Sequence, residues 1–225
     1  MKNNIFALLL CILCLPIASC KQEPKGITSE YQRDYLIIVN QDHPYDFNSE
    51  YAVNLQDDLA ITKQDTTGED LYLEYKTLES FHKLRTEARH KGMLIGVLDA
   101  YRSKDYEMPV INDYATTDRA DIGYSEHHTG LNISLVLDTK LPNGEGPYWL
   151  SEGVRIPENE ELTKMLPDYG FIRRYPAGKE EYTGHAYEPY EIRFVGSPEV
   201  AHAIMDAGLC LEEYVQNKSA KMANG

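Results

Sequence analysis

The chain has 225 residues, enough for one domain with a proper core, and it is acidic: 36 Asp and Glu oppose 22 Lys and Arg, for a formal net charge of −14. That balance argues against nucleic acid as a partner and against simple adsorption to anionic membranes or wall polymers. Four cysteines are too few for a disulfide-built scaffold.

The chain opens with Lys2 followed by an almost wholly apolar run from Ile5 to Ile17. This is about the length of a secretory h-region and too short for a membrane-spanning helix of roughly 20 residues. It ends in Ile17-Ala18-Ser19-Cys20, small residues before a cysteine, which resembles a bacterial lipobox. The expectation is a lipoprotein signal peptide over 1–19, lipidation at Cys20, a short tether over 20–34 and a single domain over 35–225. The product would be exported and membrane-anchored, facing the cell wall or periplasm. Cys11 and Cys14 leave with the signal, and with Cys20 acylated Cys210 has no partner for an internal disulfide.

Tyr35 to Val39 is β-branched and reads as a strand or extended arm, followed by loop through His43-Pro44. Leu71 to His90 reads as one helix: Leu71, Tyr75, Leu78, Phe81 (or His82), Arg85 and Ala88 follow three-to-four spacing, and Gly92 stops it. Met93 to Leu98 reads as a short buried strand, with a turn at Tyr101-Arg102-Ser103. Leu131 to Asp138 alternates, so Leu131, Ile133, Leu135 and Leu137 face one side while Asn132, Ser134, Val136 and Asp138 face the other. Asn143 to Pro147 is a turn. Glu158 to Leu166 is helical, Tyr190 to Val195 a strand, and Pro198 to Ala207 a helix closed near Gly208. Strands and helices mix without regular βαβ alternation, which gives an α+β class.

Six segments now stand in a telling order. They are Leu36 to Asn40, Ala100-Tyr-Arg-Ser103, Ser125-Glu-His-His-Thr-Gly-Leu131, Tyr169 to Gly184, Tyr187-Glu-Pro-Tyr-Glu-Ile-Arg-Phe-Val-Gly196 and Leu211 to Val215. Together they resemble the VanY-type D-alanyl-D-alanine carboxypeptidases, within the lysostaphin/D-Ala-D-Ala/hedgehog zinc peptidases. The resemblance implies a hedgehog/D,D-peptidase-like fold with a small, largely antiparallel central sheet flanked by helices. It also implies a zinc held by His, Asp and His with water in the open position, and a peptidoglycan stem peptide ending in D-Ala-D-Ala as substrate.

Carried over by position, the metal-ligand positions are His127, Ser134 and Glu191, the general base is Glu188, and Arg102 steadies developing negative charge. Ser125, Tyr190, Glu107 and Arg102 would bind substrate. Several positions depart from the pattern. Ser134 replaces the ligand aspartate and Glu191 the second ligand histidine. Tyr190 stands at a tryptophan position, Glu107 at a glutamine, and Asp99-Ala100 where Ser-Gly is usual. A neutral hydroxyl is a poor zinc donor beside carboxylate or imidazole. Asp138 shares a strand face with Ser134 but lies about 13 Å on, at roughly 3.3 Å per residue. His128 and His185 are further nearby donors, and Arg193 reads as a structural ion-pair partner. Two readings follow: a pseudopeptidase holding stem peptide or a protein partner, or an active metal-dependent D,D-carboxypeptidase with a non-standard ligand set.

Overall fold

The structure, a computed structural model, describes residues 33–49, 59–63, 70–104, 122–137 and 160–223. The expected signal peptide over 1–19, Cys20, Glu107, Asp138 and the expected turn at 143–147 lie outside the described residues.

Two antiparallel strands, β1 (Leu59–Lys63) and β2 (Asp70–Glu74), lead into helix α1 (Tyr75–His90). The three-to-four spacing from Leu71 therefore overstates the helix. Leu71 to Glu74 pairs with β1, and Glu74 caps α1 by accepting from the Thr77 amide at 2.9 Å and the Thr77 hydroxyl at 3.0 Å. α1 buries Leu78, Phe81, Leu84 and Ala88, while Tyr75 stays exposed. It ends where Gly92 turns left-handed at φ 79°.

The main sheet follows: β3 (Ile95–Asp99), β4 (Asn132–Leu137), β5 (Phe171–Tyr175) and β6 (Glu188–Phe194), ordered β3-β4-β6-β5 with every pairing antiparallel. A 3₁₀ turn at Glu126–Thr129 precedes β4. Helix α2 (Glu160–Met165) and a 3₁₀ turn (Leu166–Tyr169) precede β5, and α3 (Glu180–Thr183) lies between β5 and β6. Helices α4 (Pro198–Met205) and α5 (Leu211–Ala223) close the described chain. This is the α+β arrangement of a small antiparallel sheet with flanking helices. Among the described residues no helix is long and apolar enough to cross a membrane.

One core joins α1 to the sheet through Leu78, Phe81, Leu84, Leu131, Ile133, Leu135, Phe171, Ile192 and Phe194. Ile172, on the other side of β5, packs with Val195, Ala201, Ile204 and Leu211 beneath α4 and α5.

Tyr35 to Val39 joins no sheet. It runs as a turn and extended chain, because the Arg193 guanidinium takes the carbonyls of Tyr35 (3.3 Å) and Ile37 (3.0 Å) that a strand partner would have used. Arg193 is wholly buried and also pairs with Glu126. Glu126 binds Arg174 at 2.8 Å, and Arg174 grips both carboxylate oxygens of Glu212 on α5 at 3.0 and 2.6 Å. A buried four-residue charge network thus ties the turn before β4 to β5, β6, the N-terminal arm and α5. The ion-pair partner of Arg193 is Glu126, 67 residues away in sequence, rather than a neighbour on its own strand.

Candidate functional site

The 3₁₀ turn at Glu126–Thr129 delivers His127 to the sheet. Ser125 caps it by accepting from the His127 amide at 3.3 Å, and Gly130 ends it at φ 69° with its amide on the His127 carbonyl. A Cβ on Gly130 would lie 3.0 Å from Leu59 Cδ2 and 3.2 Å from the Glu74 amide nitrogen, which itself donates to the Gly130 carbonyl. Gly130→Ala is therefore expected to cost about 1–2 kcal/mol through the left-handed backbone alone. A urea midpoint no lower than that of the parent protein would contradict this.

His127 Nδ1 lies 2.5 Å from the Ala100 carbonyl, which can only accept, so Nδ1 carries a proton. That bond aims Nε2 at the paired strands β4 and β6. There Nε2 is 3.4 Å from Asn132 Nδ2, 3.4 Å from Ser134 Oγ and 3.7 Å from Glu191 Oε2. Ser134 and Glu191 are direct cross-strand partners. The structure thus brings His127, Ser134 and Glu191 together, all three buried.

Within the cluster, the Ser134 hydroxyl donates to Glu191 Oε1 and Asn132 Nδ2 donates to Glu191 Oε2 at 2.5 Å. Burial pushes the Glu191 carboxyl up, but His127, Ser134 and Asn132 together hold it below the ordinary carboxylate range. Both Glu191 oxygens are thereby occupied by hydrogen-bond donors. The amide orientation that serves Glu191 leaves Asn132 Oδ1 buried without a partner.

Arg102 follows β3 beside this cluster. Its amide donates to the His127 carbonyl at 3.2 Å, and its guanidinium reaches Asp99 Oδ2 through Nε (2.9 Å) and Nη2 (2.5 Å). Nη1 lies 3.4 Å from Ser125 Oγ. Glu188 opens β6, half-buried and opposite Tyr175, where the β5–β6 register slips. Tyr175 is buried, and burial raises its phenol pKa, with the charges of Arg174, Glu191 and Glu188 also within reach. Tyr190 is half-buried on β6 between the two glutamates.

His128 does not join the site. Its Nδ1 donates to the Arg102 carbonyl at 2.8 Å, its Nε2 accepts from the Gly123 amide at 3.1 Å, and its ring packs against Tyr45 and Phe47. Both nitrogens are committed to backbone, and burial holds the ring below the usual imidazole pKa. His185 stacks on Tyr175 with ring centres 4.3 Å apart. Sequence reasoning placed Asn132 on the cleft face without a role and missed the Ala100 carbonyl, Asp99 and Tyr175 as parts of the site. Asp99 and Ala100 had a signal, as departures just before the arginine.

As a metal site the cluster offers one imidazole nitrogen and one carboxylate. The third position, Ser134, is a neutral hydroxyl whose proton goes to Glu191. Among the described residues no group of three or more His, Cys, Asp or Glu side chains stands close enough to hold a metal ion. The donor set does not match a three-ligand zinc centre.

A family model described as VanY, D-alanyl-D-alanine carboxypeptidase, matches residues 70–197. The D-alanyl-D-alanine carboxypeptidase of Enterococcus faecium is 30% identical over 199 residues, which are 86% of this chain and 61% of that protein. The chain therefore spans about three fifths of that relative's length. A mutant of the vancomycin-resistance D,D-pentapeptidase VanY from a VanB-type cassette, solved in complex with Zn(II), is similar at 25% identity with a TM-score of 0.57. The match covers 80% of this chain and 98% of that one. VanYB in complex with D-alanine-D-alanine is similar at 26% identity with a TM-score of 0.56, over 81% of this chain and 97% of that one.

Proposed function

Because the chain belongs to the VanY family of D-alanyl-D-alanine carboxypeptidases, we propose that it is a binding member of that family, an exported lipoprotein whose cleft holds peptidoglycan stem peptide without hydrolysing it. The observation that carries this reading is the closed network at the ligand positions. Zinc is expected for the family, and a relative was solved with it. Here His127 Nε2 keeps the backbone-fixed aim of a metal ligand, but Ser134 and Asn132 both spend protons on the carboxylate of Glu191. Glutamate at the old histidine position closes the gap a metal would have spanned, and a serine avoids a second buried negative charge beside it. No step through zinc is derived for this donor set. Glu188 keeps the base position beside a donor set that does not fit zinc, and Arg102 is available only as a charge already paired to Asp99.

The ligand assignment is supported by the relative bound to D-alanine-D-alanine, and a protein partner in the same cleft is the competing occupant. The test is metal content and peptide binding on protein purified without chelator. The expected result is sub-stoichiometric zinc together with saturable binding of a stem peptide ending in D-Ala-D-Ala. Stoichiometric, tightly held zinc, with D-Ala release lost on Glu188→Gln, would falsify this reading and support an active D,D-carboxypeptidase with a non-standard ligand set.

Attachment rests on Ile17-Ala18-Ser19-Cys20. Cys20→Ala is expected to abolish acylation and move the protein from the membrane fraction to the soluble one. Membrane retention unchanged by the substitution, with no acyl mass on the parent, would remove the lipoprotein assignment.

A further inference from the structure

Arg102 is the guanidinium that reaches the capping serine of the His127 turn, and it is one-fifth exposed at its side chain. A guanidinium in such a place recognises carboxylates through paired N–H groups. In this chain one such pair, Nε and Nη2, already meets Asp99 Oδ2 at 2.9 and 2.5 Å. The Asp99 carboxylate is held for that task, since its Oδ1 accepts from the Ala100 amide at 2.8 Å. Ala100 in turn gives its carbonyl to His127. The acid is thus built into the same short segment that aims the imidazole.

Neither Arg174 nor Arg193 replaces the lost charge. Arg174 is committed to Glu126 and Glu212, and Arg193 to Glu126 and to the carbonyls of Tyr35, Ile37 and Phe194. Glu191 meanwhile adds a carboxylate to the cluster where the family pattern has an imidazole, and Asn132 Oδ1 is a buried acceptor still lacking a donor. A ligand reaching Arg102 therefore meets a guanidinium already neutralised by Asp99, beside a cluster that carries the added Glu191 carboxylate. Both disfavour a group that brings negative charge, whereas an uncharged end can still offer a carbonyl to the guanidinium N–H groups.

We propose that Asp99 is a specificity-determining residue that turns the cleft away from a free terminal carboxylate and toward an uncharged peptide end, such as a carboxamide. This rests on the reading of the cleft as a stem-peptide site and names the chemical form of peptide it takes.

The test compares two probes, a stem pentapeptide ending in D-Ala-D-Ala with its free carboxylate and the same peptide ending in a carboxamide. Binding is measured by calorimetry on the full protein, at low and high salt. The parent protein is expected to bind the carboxamide at least as tightly as the acid. Asp99→Asn, which keeps an acceptor for the Ala100 amide, should raise affinity for the acid about tenfold, the scale of one charge-assisted recognition pair. It should leave the carboxamide within about twofold, and the gain should shrink only modestly at high salt, because the pair is mostly buried. Asp99→Ser, the residue usual at this place in the family pattern, should act in the same direction and serves if the Asn variant folds poorly. A parent protein that prefers the acid about tenfold, with that preference unmoved in both variants, overturns the inference while leaving the stem-peptide reading intact. Binding of neither probe to parent or variants overturns the stem-peptide reading, and the inference with it.

Discussion

Glu126→Ala is expected to destabilise the protein by about 3–5 kcal/mol, because it strips the shared anion from two wholly buried arginines. Arg174 would keep Glu212, but Arg193 would keep only backbone carbonyls. For a domain of this size each kcal/mol moves the thermal midpoint by about 2–4 °C, so the fall should be large in any melting experiment. An unchanged midpoint would mean that the arginines find water or another anion and that the network contributes little. The same network carries a pH signature through Glu212. Burial pushes that carboxyl up, and Arg174 pulls it down further, leaving it below its ordinary value of 4.5. A group whose folded pKa is depressed stabilises the fold above its unfolded pKa and loses that contribution as pH falls through the folded value. Stability should therefore decline on acidification below about pH 4.5, and Glu212→Gln should flatten that decline. An acid-unfolding curve identical in parent and variant would show that other carboxylates govern it.

Restoring the family's ligand set is expected to restore zinc, but only when both positions change. Ser134→Asp alone places a second carboxylate against Glu191, in a buried pair where the hydroxyl had been a donor. It should lower stability by about 1–3 kcal/mol, the scale for an unsatisfied buried group, and bring no zinc. Ser134→Asp with Glu191→His supplies imidazole, carboxylate and imidazole around a site toward which His127 Nε2 already points. The double variant should hold about one zinc per chain after dialysis, and its thermal midpoint should rise with zinc concentration, since a ligand that binds only the folded state stabilises it. Zinc retained equally by the parent would sink the account, as would a folded double variant that takes up none.

Much of the site was readable because strands have a period of two. Alternation from Leu131 put Asn132 and Ser134 on one face and Leu131, Ile133 and Leu135 on the other, and the structure keeps that division. Family resemblance named His127, Ser134 and Glu191 as one site, although they lie up to 64 positions apart, and their side chains do converge. Local spacing was a poorer guide at 71–75. Leu71 and Tyr75 stand four apart, which suits a helix, yet Leu71 belongs to a strand because β1 offers it a partner. Pairing with a distant segment leaves no mark on local periodicity.

The amino-acid sequence by itself determined the acidic character and the strand faces, which follow from residue type and short-range period, and the order of the motifs, whose resemblance to the family implied the two altered ligand positions. The tertiary structure decided what those altered residues do. Whether Glu191 would reach for a metal or accept hydrogen bonds from Ser134 and Asn132 depends on cross-strand register, and whether Arg102 meets a ligand as a free cation depends on the Asp99 rotamer beside it. Whether Arg193 serves chemistry or the core depends on Glu126 arriving from a different element. Coulombic and hydrogen-bond energies act through distances of a few ångströms, and those distances between remote residues exist only once the chain has folded.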